Sequence, residues 1–366
     1  MSYCDRKAWT AGLAAALAVM AGIWLGSCKL KHFDPAPVWY AIGSVLAAFA
    51  VGYRFTVWAR SPPSRMYLRR GLQLLVRRGF KLQVPRFKPD TTVISRFSVS
   101  TGPSPALTIG HSLVSDFIAQ NLIRRRSLYR WIMHLCLSGG CTLAFAITFP
   151  LVFGWVHFES FANDAAMYRV NLFGFNVDSF SVRSAKALVL FSALNISAVL
   201  VLLGLAMAAI RRMTNAGERA VQTFSEDILP LILIFVVTAT GLMLTVSYKF
   251  MAGRGHSPMA VAHLISVIAL LFYIPFGKLF HMFQRTCALC VALYKRAGEV
   301  GPRAHCLRCG EDFASEMHVE DLKRVLDQLG FNYRFASPHG NVHYQDVCPA
   351  CRRRLLALNQ GRAVGR

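Results

Sequence analysis

The sequence predicts an all-α membrane protein with six transmembrane helices and a small metal-binding domain at its C-terminal end. Three observations support this fold class. Of the 366 residues, 54% are hydrophobic and 16% are charged, a balance too apolar for an ordinary soluble enzyme. Six predominantly apolar runs are each long enough to cross the roughly 30 Å hydrocarbon core of a bilayer. Two Cys-x-x-Cys pairs lie near the C-terminus.

Each apolar run is predicted to form one membrane-spanning helix. An alternative for the first run is an uncleaved signal-like anchor, because basic residues precede an alanine-rich stretch. We keep it as a span. The six predicted spans are Ala8–Cys28, Val38–Trp58, Trp131–His157, Ala187–Ile210, Ile228–Tyr248 and Met259–Phe283.

The distribution of charge predicts the orientation of these spans. Lys and Arg outnumber Asp and Glu by 41 to 18, giving a net charge of +23. The loop 59–130 carries a net charge of +12 and the tail 284–366 carries +5, whereas the segments 29–37, 158–184 and 249–258 together carry only +2. Because cytoplasmic loops are enriched in Lys and Arg, we expect a multi-pass protein of the cell inner membrane with both termini in the cytoplasm.

The basic loop 59–130 has two interpretations. It is either a topology signal with a solvated surface or a docking surface for an acidic partner or anionic lipid. We find no nucleic-acid-binding motif in it, so no nucleic-acid partner is expected. Apolar residues at helical spacing also predict an interfacial amphipathic helix ahead of the third span, formed by Leu107, Leu113, Val114, Phe117, Ile118 and Leu122.

Histidines at the ends of two spans indicate a chemical role. His134 and His157 lie on the third span, and His263 and His281 on the sixth. Ionisable residues are costly in a membrane and need a reason to be there. With the predicted orientation, His134 meets His281 on the cytoplasmic side and His157 meets His263 on the outer side. Such pairs could hold two haem b groups inside a four-helix bundle, residues 131–290.

Helical geometry favours some of these ligands over others. His263 and His281 are 18 positions apart, which is five turns of a straight helix, so they share a face. His134 and His157 are 23 positions apart and fall about 140° out of phase. Pro150 permits a kink that would re-aim His157, and His256 is the alternative partner for His263.

Residues next to the histidines also have two interpretations each. Lys278 and Arg130 are placed to pair with haem propionates, or they are ordinary anchors at the membrane interface. Gly139, Gly140 and Gly277 either make room for a flat macrocycle or allow tight helix packing.

Three segments carry a resemblance to a known family. SLYRWIMHLCLSGG (127–140) and AHLISVIALLFYIPFGKLFHMFQR (262–285), supported by DILPLILIFVVTATGLMLTVS (227–247), resemble the cytochrome b family of the respiratory nitrate reductase gamma subunit and its sulfite-reduction and heterodisulfide-reductase-associated relatives. The resemblance implies two b haems, with His134 and His281 as inner ligands and His263 and His157 as outer ligands. The hairpin 1–58, the basic loop and the cysteine-bearing tail depart from the family pattern.

The cysteine pairs predict a metal site in residues 300–366. Cys306, Cys309, Cys348 and Cys351 have the spacing of a closed tetrahedral site, and Gly310 suits the turn after the first pair. In the cytoplasm structural disulfides are rare, so a metal is expected. Zinc is the preferred ion, with a single iron as the alternative. Between the pairs, Val319–Leu329 is predicted to be a helix, whereas Cys287 and Cys290 are interpreted as packing residues.

These expectations combine into one function hypothesis and two alternatives. The chain is expected to be a dihaem electron-transfer subunit that connects a quinol/quinone pool with cytoplasmic iron–sulfur and catalytic oxidoreductase subunits; no catalytic residue is assigned. The alternatives are a proton-coupled transporter with a regulatory zinc module and a non-catalytic membrane scaffold that recruits a partner through this module.

Overall fold

The computed structural model describes residues 5–79, 113–161, 164–337 and 340–365. The chain divides into two compact units. The first contains Met1–Val57 and Ser115–Gln284, and the second contains Trp58–Val114 and Arg285–Arg366. Each unit is described by itself.

The described part of the chain is mostly helical. In chain order the α-helices are α1 (Arg6–Gly26), α2 (Val38–Arg60), α3 (Ser64–Gly79), α4 (Asn121–Arg124), α5 (Leu128–Val152), α6 (Ala185–Thr214), α7 (Ala216–Val221), α8 (Leu229–Phe250), α9 (His256–Phe276), α10 (His281–Arg285), α11 (Ala288–Val300), α12 (Glu316–Gln328) and α13 (Pro349–Ala363). The strands are β1 (Val156–Phe161), β2 (Asp164–Leu172), β3 (Phe175–Ser181), β4 (Arg303–His305), β5 (Asp312–Ser315), β6 (Arg334–Ser337) and β7 (Gly340–His343).

Six helices confirm the predicted membrane spans. Helices α1, α2, α5, α6, α8 and α9 are long and apolar enough to cross a membrane, the fifth counted from Phe224. Large apolar side chains such as Leu188 and Ile265 are more than 60% exposed on them. A lipid-facing surface is expected to have this character, whereas soluble monomers avoid extended apolar patches.

Two predicted span ends are wrong. Helix α5 ends at Val152 instead of His157, because the chain turns through Gly154, whose φ of +69° belongs to the left-handed region that favours glycine. Helix α9 ends at Phe276 instead of Phe283, since Gly277 takes an extended backbone and the hydrogen-bonding pattern does not continue. A 3₁₀ turn at Lys278–Phe280 follows, and His281 starts the separate helix α10.

The prediction of an all-α fold is also wrong. Strands β1, β2 and β3 form an antiparallel sheet between α5 and α6. The ring of Phe191 on α6 lies 5.4 Å from that of Phe158 on β1 and 6.1 Å from that of Phe180 on β3, measured between ring centroids. Aromatic packing therefore fixes the sheet against the first turns of α6.

The N-terminal hairpin α1–α2 shares the core of the first unit. Ala47 on α2 is buried with Leu270, Leu271 and Ile274 on α9, and Phe145 on α5 packs against this cluster. Ile23 on α1 and Ala41 on α2 are buried with Phe153, which directly follows α5. The predicted hairpin 1–58 and the predicted bundle 131–290 therefore contribute to one compact unit.

Glycines allow α5 and α6 to approach closely. A Cβ atom at Gly140 would lie 2.9 Å from the backbone oxygen of Ser197, and one at Gly204 would lie 2.8 Å from the backbone nitrogen of Leu137. At Gly139, by contrast, a Cβ atom would meet nothing within 4 Å. Of the two interpretations of these glycines, helix packing therefore accounts for Gly140.

This difference predicts the outcome of a matched pair of substitutions. Gly140→Leu should destabilise the purified protein by about 2 kcal/mol or more, because a Cβ atom there would lie 2.6 Å from the Val201 side chain and 2.9 Å from the backbone oxygen of Ser197, and the backbone of α6 cannot give way. Gly139→Leu adds the same side chain one residue earlier, where there is open space. Unfolding in detergent, followed by circular dichroism, would measure both. Equal losses of stability would contradict the packing role of Gly140.

The second unit is built around α3, α11 and α12. At Gly71 on α3 a Cβ atom would lie only 2.5 Å from the Cα atom of Cys290 on α11, so these helices touch through their backbones. Cys290 therefore has the packing role predicted for it. The predicted helix Val319–Leu329 is confirmed as α12, and its Asp321 is buried. Strands β4–β5 and β6–β7 add two small antiparallel hairpins.

The predicted amphipathic helix before the third span is not continuous. Leu107 lies outside the described residues. A π-helical turn covers Leu113–Ile118 and is followed by Gln120, whose φ of +52° interrupts the helix before the single turn α4. The basic loop does contain a longer helix, α3, at Ser64–Gly79.

Candidate functional site

The four cysteines of the two CxxC pairs lie together in the second unit. Their sulfur atoms are all within 4.8 Å of one another, and Cys309 Sγ lies 3.8 Å from Cys348 Sγ. Four sulfurs at about 2.3 Å from a tetrahedral ion would lie about 3.8 Å apart. The cluster can therefore hold a metal ion of this kind.

Local structure presents these sulfurs in two different ways. Cys306 and Cys309 occupy the β4–β5 turn, where Gly310 has a φ of +75° and donates its N–H to the Cys306 carbonyl. Cys348 caps the N-terminus of α13, and Cys351 lies in its first turn. The first pair thus lies in a hairpin turn, whereas the second pair lies at the start of a helix.

Backbone N–H groups stabilise the thiolate form of Cys306. The N–H of Cys348 lies 3.2 Å from it and the N–H of Arg308 lies 3.4 Å from it. Burial alone would raise the pKa of the Cys306 thiol, but these N–H groups and that of Cys309 lower the pKa below its ordinary value. Thiolate is the form that binds metals. The donor set suits zinc or a single iron equally, so the identity of the ion stays a prediction.

Among the predicted haem ligands, His134 lies within α5, near its start. Its Nδ1 donates to Gln120 Oε1 at 2.7 Å, and Gln120 Nε2 donates to Ser138 Oγ at 2.7 Å. Gln120 is only 5% exposed. Gln120, the left-handed residue just before α4, therefore also orients the His134 imidazole.

In His263 and His281, Nδ1 also lies next to an oxygen atom. His263 Nδ1 lies 2.9 Å from Thr240 Oγ1, whose hydroxyl is 2.7 Å from the Val236 carbonyl and therefore accepts from the histidine. His281 Nδ1 donates to the Lys278 carbonyl at 2.7 Å and its side chain is exposed. A ring whose Nδ1 carries the proton presents the lone pair of Nε2 to a ligand.

His157 departs from this pattern. It lies on β1, outside the span, and its ring stacks on that of His32 with centroids 4.1 Å apart. Its Nε2 lies 3.2 Å from Glu159 Oε1 and 3.1 Å from Asn171 Nδ2, while its buried Nδ1 has no hydrogen-bond partner among the described residues. The prediction that His157 is the fourth haem ligand requires the third span to reach this residue. Helix α5 ends at Val152, so this prediction loses its geometric basis.

His256 does not replace it opposite His263. Both residues lie on α9, seven positions apart, which corresponds to a rise of about 10 Å. A haem held between two helices takes its axial nitrogens from opposite faces, one from each helix. His256 lies on the same helix as His263 and not on the facing helix that this arrangement requires.

Two carboxylates connect the helix ends near His134 and His281. Glu218 lies 3.5 Å from Arg130 and also pairs with Arg211. Asp227 pairs with Lys278 at 2.5 Å and with Arg212 at 3.4 Å. Because Arg211 and Arg212 are consecutive on α6, the start of α5 and the end of α9 lie at the same end of the first unit.

Sequence reasoning missed His32, Glu159 and Asn171. The signal was the alternation of His157 and Glu159, which places both side chains on one face of a strand. The apolar run Trp131–His157 predicts a single helix, which conceals this alternation.

No protein-family model, curated protein or solved structure matches this chain. The resemblance to the nitrate reductase gamma family therefore stays a prediction that rests on the segments quoted above.

Proposed function

We propose that the protein is a membrane cytochrome b subunit that transfers electrons between a quinol/quinone pool and a cytoplasmic oxidoreductase partner. The observation that carries the proposal is a hydrogen-bond arrangement that three histidines share. In His134, His263 and His281, Nδ1 lies 2.7–2.9 Å from an oxygen atom that can accept its proton. Such a bond fixes the tautomer and the orientation of an imidazole that ligates a metal through Nε2.

The inner site is assigned to His134 and His281. Their supporting residues, Arg130 and Lys278, are tied to consecutive arginines of α6, which places both histidines at one end of the first unit. His263 is assigned as the axial ligand on one face of an outer haem. A haem b with both axial positions filled would carry single electrons without binding a substrate.

A groove between α6 and α8 supports a quinone as the redox partner. It has a volume of about 510 Å³ and is mostly apolar, with Arg212, Arg219 and Gln222 as its polar lining residues. The buried Gln222 Oε1 has no hydrogen-bond partner among the described residues. A quinol hydroxyl could donate to this oxygen while its ring and tail occupy the apolar wall.

The orientation and the partner follow from charge. The loop 59–130 and the tail 284–366 carry most of the positive charge, so we place both on the cytoplasmic side. There the Cys4 unit and the basic surface would dock an acidic iron–sulfur subunit.

A reduced-minus-oxidised optical spectrum of the purified protein tests the proposal. We expect b-type bands from the wild-type protein. Either His134→Ala or His281→Ala should remove about half of the band amplitude, because each replacement leaves one inner haem without an axial ligand. His256→Ala is the matched control, since this exposed histidine lies on the same helix as His263 and not on a facing helix, and it should leave the spectrum unchanged. A wild-type spectrum without b-type bands would refute the proposal.

The Cys4 cluster favours a second candidate function, a non-catalytic scaffold that recruits a cytoplasmic protein through its metal-bound unit. A metal that only stabilises this unit would be needed for folding and would add no redox chemistry. One bound zinc together with the absence of b-type bands would favour the scaffold.

A further inference from the structure

A second cluster of metal-ligating side chains lies in the first unit, away from the cysteines. His32 comes from the connection between α1 and α2, and His157 and Glu159 come from β1. One ligand atom from each residue lies within 4.8 Å of the others. Segments that are more than 120 residues apart in sequence thus bring two imidazoles and one carboxylate to one point.

The connection that carries His32 is held in a costly conformation. Cys28, Lys29 and Leu30 have φ values of 53°, 61° and 66°, so three successive residues other than glycine are left-handed. Each costs roughly 1–2 kcal/mol and persists only where the surroundings enforce it. The enforcing contacts include the His32 backbone N–H, which donates to the Ser27 carbonyl at 3.1 Å.

The opposite wall of the cluster is equally well fixed. His157 and Glu159 share one face of β1, and Asn171 on β2 is the direct cross-strand neighbour of His157. Asn171 is 6% exposed and hydrogen-bonds both His157 and Glu159. A buried amide that orients two potential ligands has the role that outer-shell residues play in metal sites.

One polar atom of the cluster has no partner in the described part of the protein. His157 Nδ1 is buried and has no hydrogen-bond partner among the described residues, whichever ring nitrogen carries the proton. Leaving such an atom unpaired costs about 1–3 kcal/mol. The stacked rings of His32 and His157 also cannot both be charged without repulsion. A bound cation would favour two neutral imidazoles.

We propose that His32, His157 and Glu159 form a binding site for one divalent transition-metal ion of the zinc class. Two imidazoles and a carboxylate are ligands that Zn²⁺ and Co²⁺ accept, and three protein ligands leave a position open for water or another ligand. Glu159 also opposes the electrostatic effect of Lys31 on His32. His157, which the sequence predicts to be a haem ligand, is in this proposal a ligand of the divalent ion.

Equilibrium dialysis of the full-length protein in detergent against Co²⁺ tests this site. The protein is purified with zinc in its Cys4 cluster, and metal analysis then reads cobalt and zinc separately. We expect one bound Co²⁺ per chain with the zinc content unchanged. His32→Ala and Glu159→Gln should each weaken cobalt binding at least about 10-fold.

Matched controls come from the same part of the chain. Asp178→Asn changes another carboxylate of the three-stranded sheet, and His256→Ala changes another exposed histidine; both should bind cobalt like the wild-type protein. Glu159 is exposed, so its replacement by Gln should leave the thermal unfolding of the metal-free protein unchanged. The absence of bound cobalt, or binding that survives the replacement of His32 and Glu159, would overturn the proposal. Unchanged b-type absorption in His157→Ala would separate this site from the haem sites.

Discussion

Replacing Cys348 with Ser is expected to remove the metal from the Cys4 cluster and to unfold the segment around it. Structural zinc contributes about 10–16 kcal/mol to the folding of small zinc domains, which is as large as the whole stability of an ordinary domain. Cys348 also caps α13, and its N–H donates to the Cys306 sulfur. Serine keeps this N–H and can also cap a helix, so the expected loss of structure follows from the loss of one metal ligand.

Metal analysis and hydrogen exchange of the full-length protein would measure this effect. We expect the loss of about one zinc or iron per chain and the loss of amide protection in β4, β5 and α13. Cys287→Ser is the matched control, because Cys287 lies outside the cluster, and it should keep both metal and protection. Full metal content in Cys348→Ser would show that the cluster is not the metal site.

Replacing Arg70 with Ala is expected to destabilise the second unit by about 3 kcal/mol. Arg70 Nε and Nη2 donate to Asp321 at 2.9 and 2.8 Å, and Asp321 is only 3% exposed. Tyr294 adds a hydrogen bond to the same carboxylate at 3.2 Å. Without the guanidinium a nearly buried negative charge would lose its main partner. One third of the Arg70 side chain is exposed, so water can offset part of the loss.

Arg324 provides the matched control for Arg70. It also approaches Asp321, but at 3.8 Å and with 65% of its side chain exposed, so Arg324→Ala should cost less than about 1 kcal/mol. Hydrogen exchange of peptides from α11 and α12 would measure both variants. The double replacement Arg70→Met, Asp321→Leu should be less harmful than Arg70→Ala, because no charge is left buried. Equal effects of Arg70→Ala and Arg324→Ala would contradict this account.

The spans and the Cys4 cluster could be predicted because their signals are local. A helix that crosses a bilayer needs about 20 apolar residues in succession, and this requirement is visible in the sequence wherever the helix packs. Cys306 and Cys309 must be three positions apart to share one ion, and so must Cys348 and Cys351. The two pairs are far apart in sequence, but a metal ion that both pairs share is the simplest explanation for their spacing. The distance between the pairs therefore does not hinder the prediction.

The ends of the helices and the positions of the histidines could not be predicted in the same way. An apolar run does not show where a helix stops, so His157 was placed on a span and His281 on the same helix as His263. Gly154 and Gly277 end these helices through backbone conformations. The sheet β1–β3 has short, mixed sequences whose pairing depends on contacts across strands.

The amino-acid sequence by itself determined the six apolar helices that are long enough to span a membrane and the cysteines that form the cluster, because hydrophobic length and ligand spacing are properties of neighbouring residues. The tertiary structure decided which distant side chains meet. It placed Gly140 against α6, Arg70 on the buried Asp321, and His32 beside His157 and Glu159. Such contacts depend on the paths of separate chain segments, and on where each helix ends, so no local pattern encodes them.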